Sequence, residues 1–137
     1  MKTMLLVEDN RTDEKLTLRA FKKHAVVNQI DVARDGEEAL AYLFDEARTL
    51  PAVVLLDLKL PKVEGLEVLR RLRAHERTRL VPVVVLTASK EQEDLIRSYS
   101  LGANAYVRKP VDFTQFAEAA KTLGLFWCLI NEPAPSK

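Results

Sequence analysis

Five short apolar runs recur along the chain, each followed by a longer stretch of helical periodicity, and this alternation leaves few folds open. The runs are "TMLLVE" (3–8), "QIDVAR" (29–34), "AVVLLD" (52–57), "VPVVVLT" (81–87) and "AYVRK" (105–109). Amphipathic stretches lie near 11–24, 36–48, 64–76, 90–101 and 112–130. The third and fourth runs are apolar almost throughout, the pattern of parallel strands covered on both faces. Regular βαβα alternation of this kind predicts an open, doubly wound α/β fold around a parallel sheet. Asn10, Asp35 and Asp112 are placed to cap helix starts, and Gly102 stands where a helix-ending glycine belongs. With 137 residues there is room for one domain with a proper core. We expect that domain to occupy residues 1–130, with the proline-rich, polar "NEPAPSK" (131–137) as a short loose tail.

In a doubly wound sheet, ligands bind beyond the carboxyl ends of the strands. The first strand ends in Glu8 and Asp9, the third in Asp57, the fourth in Thr87 and the fifth in Lys109. The second ends in Ala33 and Arg34 and adds nothing obvious. Taken singly, each polar residue reads as a cap or a solvated group. Together they bring three carboxylates, a hydroxyl and an ammonium to one edge. At an effective dielectric near 20, one carboxylate pair ~5 Å apart costs about 3 kcal/mol, so the cluster calls for a neutralising partner. Mg²⁺ fits, as a hard cation that takes one or two carboxylates with phosphate oxygens and water. Lys109 adds a point charge for phosphate oxygens, and Thr87 can donate a hydrogen bond to one of them. Asp57, at the centre of the sheet, is the best candidate for a carboxylate that attacks phosphorus to give an aspartyl phosphate.

Composition narrows the alternatives. The formal net charge is +1, so no global field draws the chain to nucleic acid or an anionic membrane. The basic stretch "RRLRAHERTR" (70–79) is interleaved with acids and reads as a solvated helix face. No apolar run approaches the roughly 20 residues of a membrane span, and "MKTMLLVEDN" is not a secretory signal. Cys128 is the only cysteine, which removes any internal disulfide or cysteine-based metal site. A cytoplasmic location is expected. His24 and His75 lie away from the strand ends, which argues against a histidine phosphotransfer role.

These residues resemble the receiver domains of two-component response regulators over about residues 3–127. "LLVEDN" is similar to that family's acid-pair strand, "LLDLKLP" to its phosphoacceptor strand, "VVLTA" to its switch-threonine strand and "GANAYVRKP" to its lysine strand. The resemblance implies a flavodoxin-like five-stranded sheet of order 2-1-3-4-5 and phosphorylation of Asp57 by a sensor histidine kinase. It implies that Asp9, Asp57 and the backbone carbonyl of Lys59 hold Mg²⁺, with Glu8 acting mostly through bound water. It places Thr87 and Lys109 on the phosphoryl oxygens and makes Lys109–Pro110 a cis bond. Lys59 and Ser89 stand where the family tunes dephosphorylation. "SYSLGANAYVRKPVDFTQF" and "LGLFW" further resemble regulators paired with phytochrome-type histidine kinases.

By the same resemblance Thr87 moves toward the phosphoryl group and Tyr106 swings in behind it; the plainer reading of Tyr106 is packing under the fourth helix. On the last helix, Phe116, Ala119, Ala120, Leu123, Trp127 and Ile130 share one face, while Leu125, Cys128 and Leu129 lie on the other. A second apolar face points to an interface. We expect a homodimer through the fourth helix, fifth strand and fifth helix, with Tyr99 contributing, unless the last turn folds back on its own domain. A phosphorelay intermediate and a phosphate sink for a kinase stay open as alternative roles. A haloacid-dehalogenase-type phosphotransferase would need an acid two residues after the nucleophile, where Lys59 stands.

Overall fold

The computed structural model describes residues 3–23, 29–88 and 92–109. Five parallel strands, β1 (Thr3–Val7), β2 (Gln29–Ala33), β3 (Val53–Asp57), β4 (Val83–Thr87) and β5 (Ala105–Arg108), form one sheet of order β2-β1-β3-β4-β5. Four helices alternate with them: α1 (Arg11–Lys23), α2 (Gly36–Leu43), α3 (Gly65–Ala74) and α4 (Gln92–Ser100). The doubly wound α/β fold and its strand order are as expected.

Strand periodicity sorts the core into two layers. Met4, Leu6, Val53, Leu55, Val84, Leu86, Ala105 and Val107 pack with Phe21 of α1. Leu5, Val7, Val54, Leu56, Val83 and Val85 pack on the other face with α2 and α3 residues such as Leu40, Val68 and Leu72. All five residues of β3 and of β4 are buried, in keeping with central strands covered on both sides.

Local signals set the helix ends. Asn10 Oδ1 accepts the Asp13 N–H at 3.0 Å, and Asp35 Oδ1 accepts the Glu38 N–H at 2.7 Å. α4 closes in a Schellman motif: Gly102 N–H donates to Tyr99 O and Ala103 N–H to Ser98 O. Gly102 has φ +100°, a conformation that glycine adopts without penalty.

Three expectations need correction. α2 ends at Leu43 rather than at residue 48, because Arg77 donates to the carbonyls of Leu43, Asp45 and Arg48 and satisfies that end of the helix from outside. The fourth strand starts at Val83 rather than 81, since Val81 N–H closes a turn onto Thr78 O and Pro82 has no N–H to pair. The basic stretch 70–79 is also more than a solvated face. Besides Arg77, Arg73 donates to the carbonyls of Gly102, Arg79 and Val81 and to Asn104 Oδ1, tying α3 to the chain around β4 and β5. Residues 112–130, the predicted fifth helix, and Asp112 lie outside the described residues.

Candidate functional site

Register and parity together assemble the site. Val7 pairs with Leu56, so Glu8 stands level with Asp57 one residue later. Thr87 pairs with Arg108, and Lys109 N–H donates to Thr87 O at 3.0 Å. Glu8, Asp57 and Lys109 continue the alternation of Met4–Leu6, Val53–Leu55 and Ala105–Val107, and so belong to the α1 face of the sheet. Thr87 continues Val83–Val85 on the opposite face, together with half-buried Tyr106, whose register partner is Val85.

The Lys109 ammonium sits at the centre of the α1-side cluster. Its Nζ lies 2.5 Å from Glu8 Oε1, 2.9 Å from Asp57 Oδ2 and 3.0 Å from Asp13 Oδ2. Asp57 Oδ1 also accepts the Lys59 N–H at 3.2 Å, and Glu8 Oε2 accepts the Asn10 N–H at 3.3 Å. Glu8, Asp57 and Thr87 are buried, whereas Asp9 is exposed. A cleft of about 450 Å³ opens over Asp57, with Asp9, Asp13, Thr87 and Lys109 in its walls.

Electrostatics show too much negative charge for one lysine. Burial raises the Glu8 carboxyl to about 7; Lys109 opposes that shift and Asp57 adds to it. Burial likewise works against the Lys109 charge, but hydrogen bonding and attraction from the surrounding carboxylates outweigh it and hold the ammonium above its usual range. Glu8, Asp9 and Asp57 can each place one carboxylate oxygen within 4.8 Å of the others. Such a set of hard oxygen donors, with surplus negative charge, fits a divalent cation.

Magnitudes decide what Asp57 does to stability here. At an effective dielectric near 20, repulsion from Glu8 and Asp9 costs about 3 kcal/mol each, against about 6 kcal/mol of attraction to the ammonium. These opposing terms nearly cancel, so what remains is the cost of burying the Asp57 charge, which an amide avoids while it keeps a hydrogen-bond acceptor for Lys109. Asp57→Asn is therefore expected to melt several degrees higher than wild type in metal-free buffer. Mg²⁺ should stabilise wild type more than the variant. Equal melting temperatures under all four conditions would contradict a shared site.

The structure thus brings Glu8, Asp9, Asp57, Thr87 and Lys109 to one edge of the sheet, with Lys59 lining the same cleft. Tyr99 is exposed on α4, while Leu125, Cys128, Leu129, Ser89 and the Lys109–Pro110 bond lie outside the described residues. Two features escaped the sequence reading. Asp13 reaches Lys109 from the first turn of α1; its only signal was an acid three residues after the capping Asn10. Arg34, thought to add nothing, donates to both oxygens of Glu14 at 3.1 Å and so joins the ends of β2 and α1.

Residues 4–121 match the response regulator receiver domain family. The chain belongs to that family. This receiver domain is 42% identical to the probable methanogenesis regulatory protein FilR2 of Methanothrix harundinacea (strain 6Ac), over 97% of the chain and 88% of that protein. Among solved structures it is similar to the bacteriophytochrome response regulator AtBRR, with 53% identity, a TM-score of 0.84 and coverage of 96% of this chain and 99% of that one. It is also similar to the Mn²⁺-bound form of response regulator Rcp1, at 34% identity and a TM-score of 0.80, covering 99% of this chain and 100% of that one. The curated Rcp1 is from Synechocystis sp. (strain ATCC 27184 / PCC 6803 / Kazusa). The protein is a phosphoacceptor response regulator related to phytochrome regulators. Among the described residues, no helix is long and apolar enough to cross a membrane.

Proposed function

We propose that Asp57 is the phosphoacceptor and that a phytochrome-type sensor histidine kinase is the donor. The observation that carries this reading is the placement of the Asp57 carboxylate at the end of the central strand, 2.9 Å from Lys109 and within 4.8 Å of two further acids. An Asp57 oxygen forms the new O–P bond, the N–P bond of the phosphohistidine breaks, and the imidazole nitrogen keeps the electron pair. Asp9, Asp57 and the Lys59 backbone carbonyl would hold Mg²⁺, with Glu8 acting through bound water. The ion would supply charge neutralisation for the transferring phosphoryl group. Lys109 and Thr87 take the phosphoryl oxygens. The only reactions the domain catalyses on this reading are its own phosphorylation and dephosphorylation.

Thr87 and Tyr106 carry the signal to the α4–β5 side. A charge-assisted hydrogen bond from Thr87 of ~1.5–3 kcal/mol shifts a two-state equilibrium by roughly 10- to 150-fold. A swing from 1:99 to 99:1 needs about 5.5 kcal/mol, so Lys109 or a bound partner must add to it. The output is a homodimer through α4, β5 and the segment beyond, with exposed Ile96 and Tyr99 of α4 in the contact; the working compartment is the cytoplasm. Relatedness to AtBRR and Rcp1 supports the phytochrome pairing.

Phosphotransfer tests the donor. An autophosphorylated bacteriophytochrome histidine kinase should lose its label to this protein with Mg²⁺ present, faster than an unrelated histidine kinase does, and not to Asp57→Asn. Equal or absent transfer from both kinases would overturn the pairing.

A further inference from the structure

An ammonium has three N–H donors, and Lys109 meets three carboxylates. Glu8 and Asp57 belong to the site already described. Asp13 does not: it stands outside the trio that can share a cation, and it arrives from a helix rather than from a strand end. All three contacts of Nζ are ion pairs, and those to Asp13 and Asp57 also have hydrogen-bond geometry. The Asp13 backbone is fixed in its turn, since its N–H donates to the capping Asn10 Oδ1. Its carboxylate is therefore presented by the first turn of α1. The Lys109 side chain is only 8% exposed, against 33% for Asp13, so the anchor stands at the mouth of the cleft and the ammonium beneath it.

We infer that Asp13 is a positioning residue for phosphoryl transfer, holding the Lys109 ammonium from the α1 side so that another of its N–H groups is aimed at Asp57. The inference rests on the reading of Asp57 as phosphoacceptor. When a phosphoryl oxygen takes the place of the Asp57 oxygen beside Lys109, the Asp13 and Glu8 contacts can persist, and the charge needs no reorientation as the bond forms. Removing the anchor leaves the ammonium held only by Glu8 and by Asp57, the very group whose place beside it the phosphoryl oxygen must take.

Labelling by acetyl phosphate in Mg²⁺, followed by intact mass against time, tests this in wild type, Asp13→Ala and Asp13→Asn, and in each with Lys109→Ala added. Asp13→Ala should label about tenfold more slowly, short of the ~100-fold that misplacement by an ångström can bring. Asp13→Asn, which keeps an acceptor oxygen, should stay within about threefold of wild type, and Asp13→Ala should cost nothing further once Lys109 is gone. A wild-type rate in Asp13→Ala, an equal loss in Asp13→Asn, or the same loss without Lys109 would each overturn the inference. If wild type itself takes no phosphoryl group, the acceptor reading falls and this inference with it. A labelled wild type with an indifferent Asp13→Ala overturns this inference alone.

Discussion

Replacing Lys109 with methionine is expected to lower the unfolding free energy by about 3–5 kcal/mol in metal-free buffer, the usual cost of stranding buried charge. The side chain is nearly the same length, so packing changes little and the loss is electrostatic. Lys109 contacts Glu8 and Asp57, which are 1% and 6% exposed, and the partly exposed Asp13. Without the ammonium, the two buried carboxylates have each other and Asp9 as neighbours. Glu8, already raised to about 7, takes up a proton more readily still, which caps the loss. Mg²⁺ should recover much of the stability, because a cation supplies the missing neutralisation. Urea titrations with EDTA and with Mg²⁺ measure both effects. Coincident midpoints for wild type and variant in EDTA would show that the lysine does not balance these acids.

The second large effect is expected at Gly65, the first residue of α3. A Cβ there would meet the Asp57 carbonyl oxygen at 2.3 Å and Leu58 Cα at 2.6 Å. Both are backbone atoms, so no rotamer change relieves the clash, and the Gly65 N–H also donates to Leu58 O at 2.9 Å. Gly65→Ala should cost about 2–3 kcal/mol, in the range of overpacking in a tight core. The helix-propensity gain of alanine is ~1 kcal/mol in a helix interior and smaller at a first position. Relief must come from moving the backbone that carries Asp57, so the folded variant should also label more slowly. The same substitution at Gly102 meets Arg73 side-chain atoms at 2.9–3.1 Å and a φ of +100°; it should destabilise without touching the site. Denaturation midpoints and labelling rates of the two variants separate these outcomes.

Much of this was legible in the residues because the governing signals are local. Runs such as "VVLLD" and "VVVLT" carry their burial in their composition, and helix-capping Asn10 and Asp35 and the Gly102 stop act within a few residues. The site was legible for a topological reason: once the strands are parallel, their last residues must share an edge. What the sequence hid depends on contacts across the chain. The early end of α2 is imposed by Arg77, about thirty residues downstream along the chain. Arg73 looks like one more surface arginine until Gly102 and Asn104 are folded back onto it. Asp13 is 96 residues from Lys109, and only the packing of α1 against the sheet makes them neighbours.

The central claim is that Asp57 accepts the phosphoryl group. Intact mass after incubation with Mg²⁺ and acetyl phosphate, in wild type and in Asp57→Asn, tests it most directly. Wild type should gain one phosphoryl group and the variant none, and no adduct should form in wild type when EDTA is added before the donor. A gain of the same mass in Asp57→Asn would place the acceptor elsewhere and contradict the account.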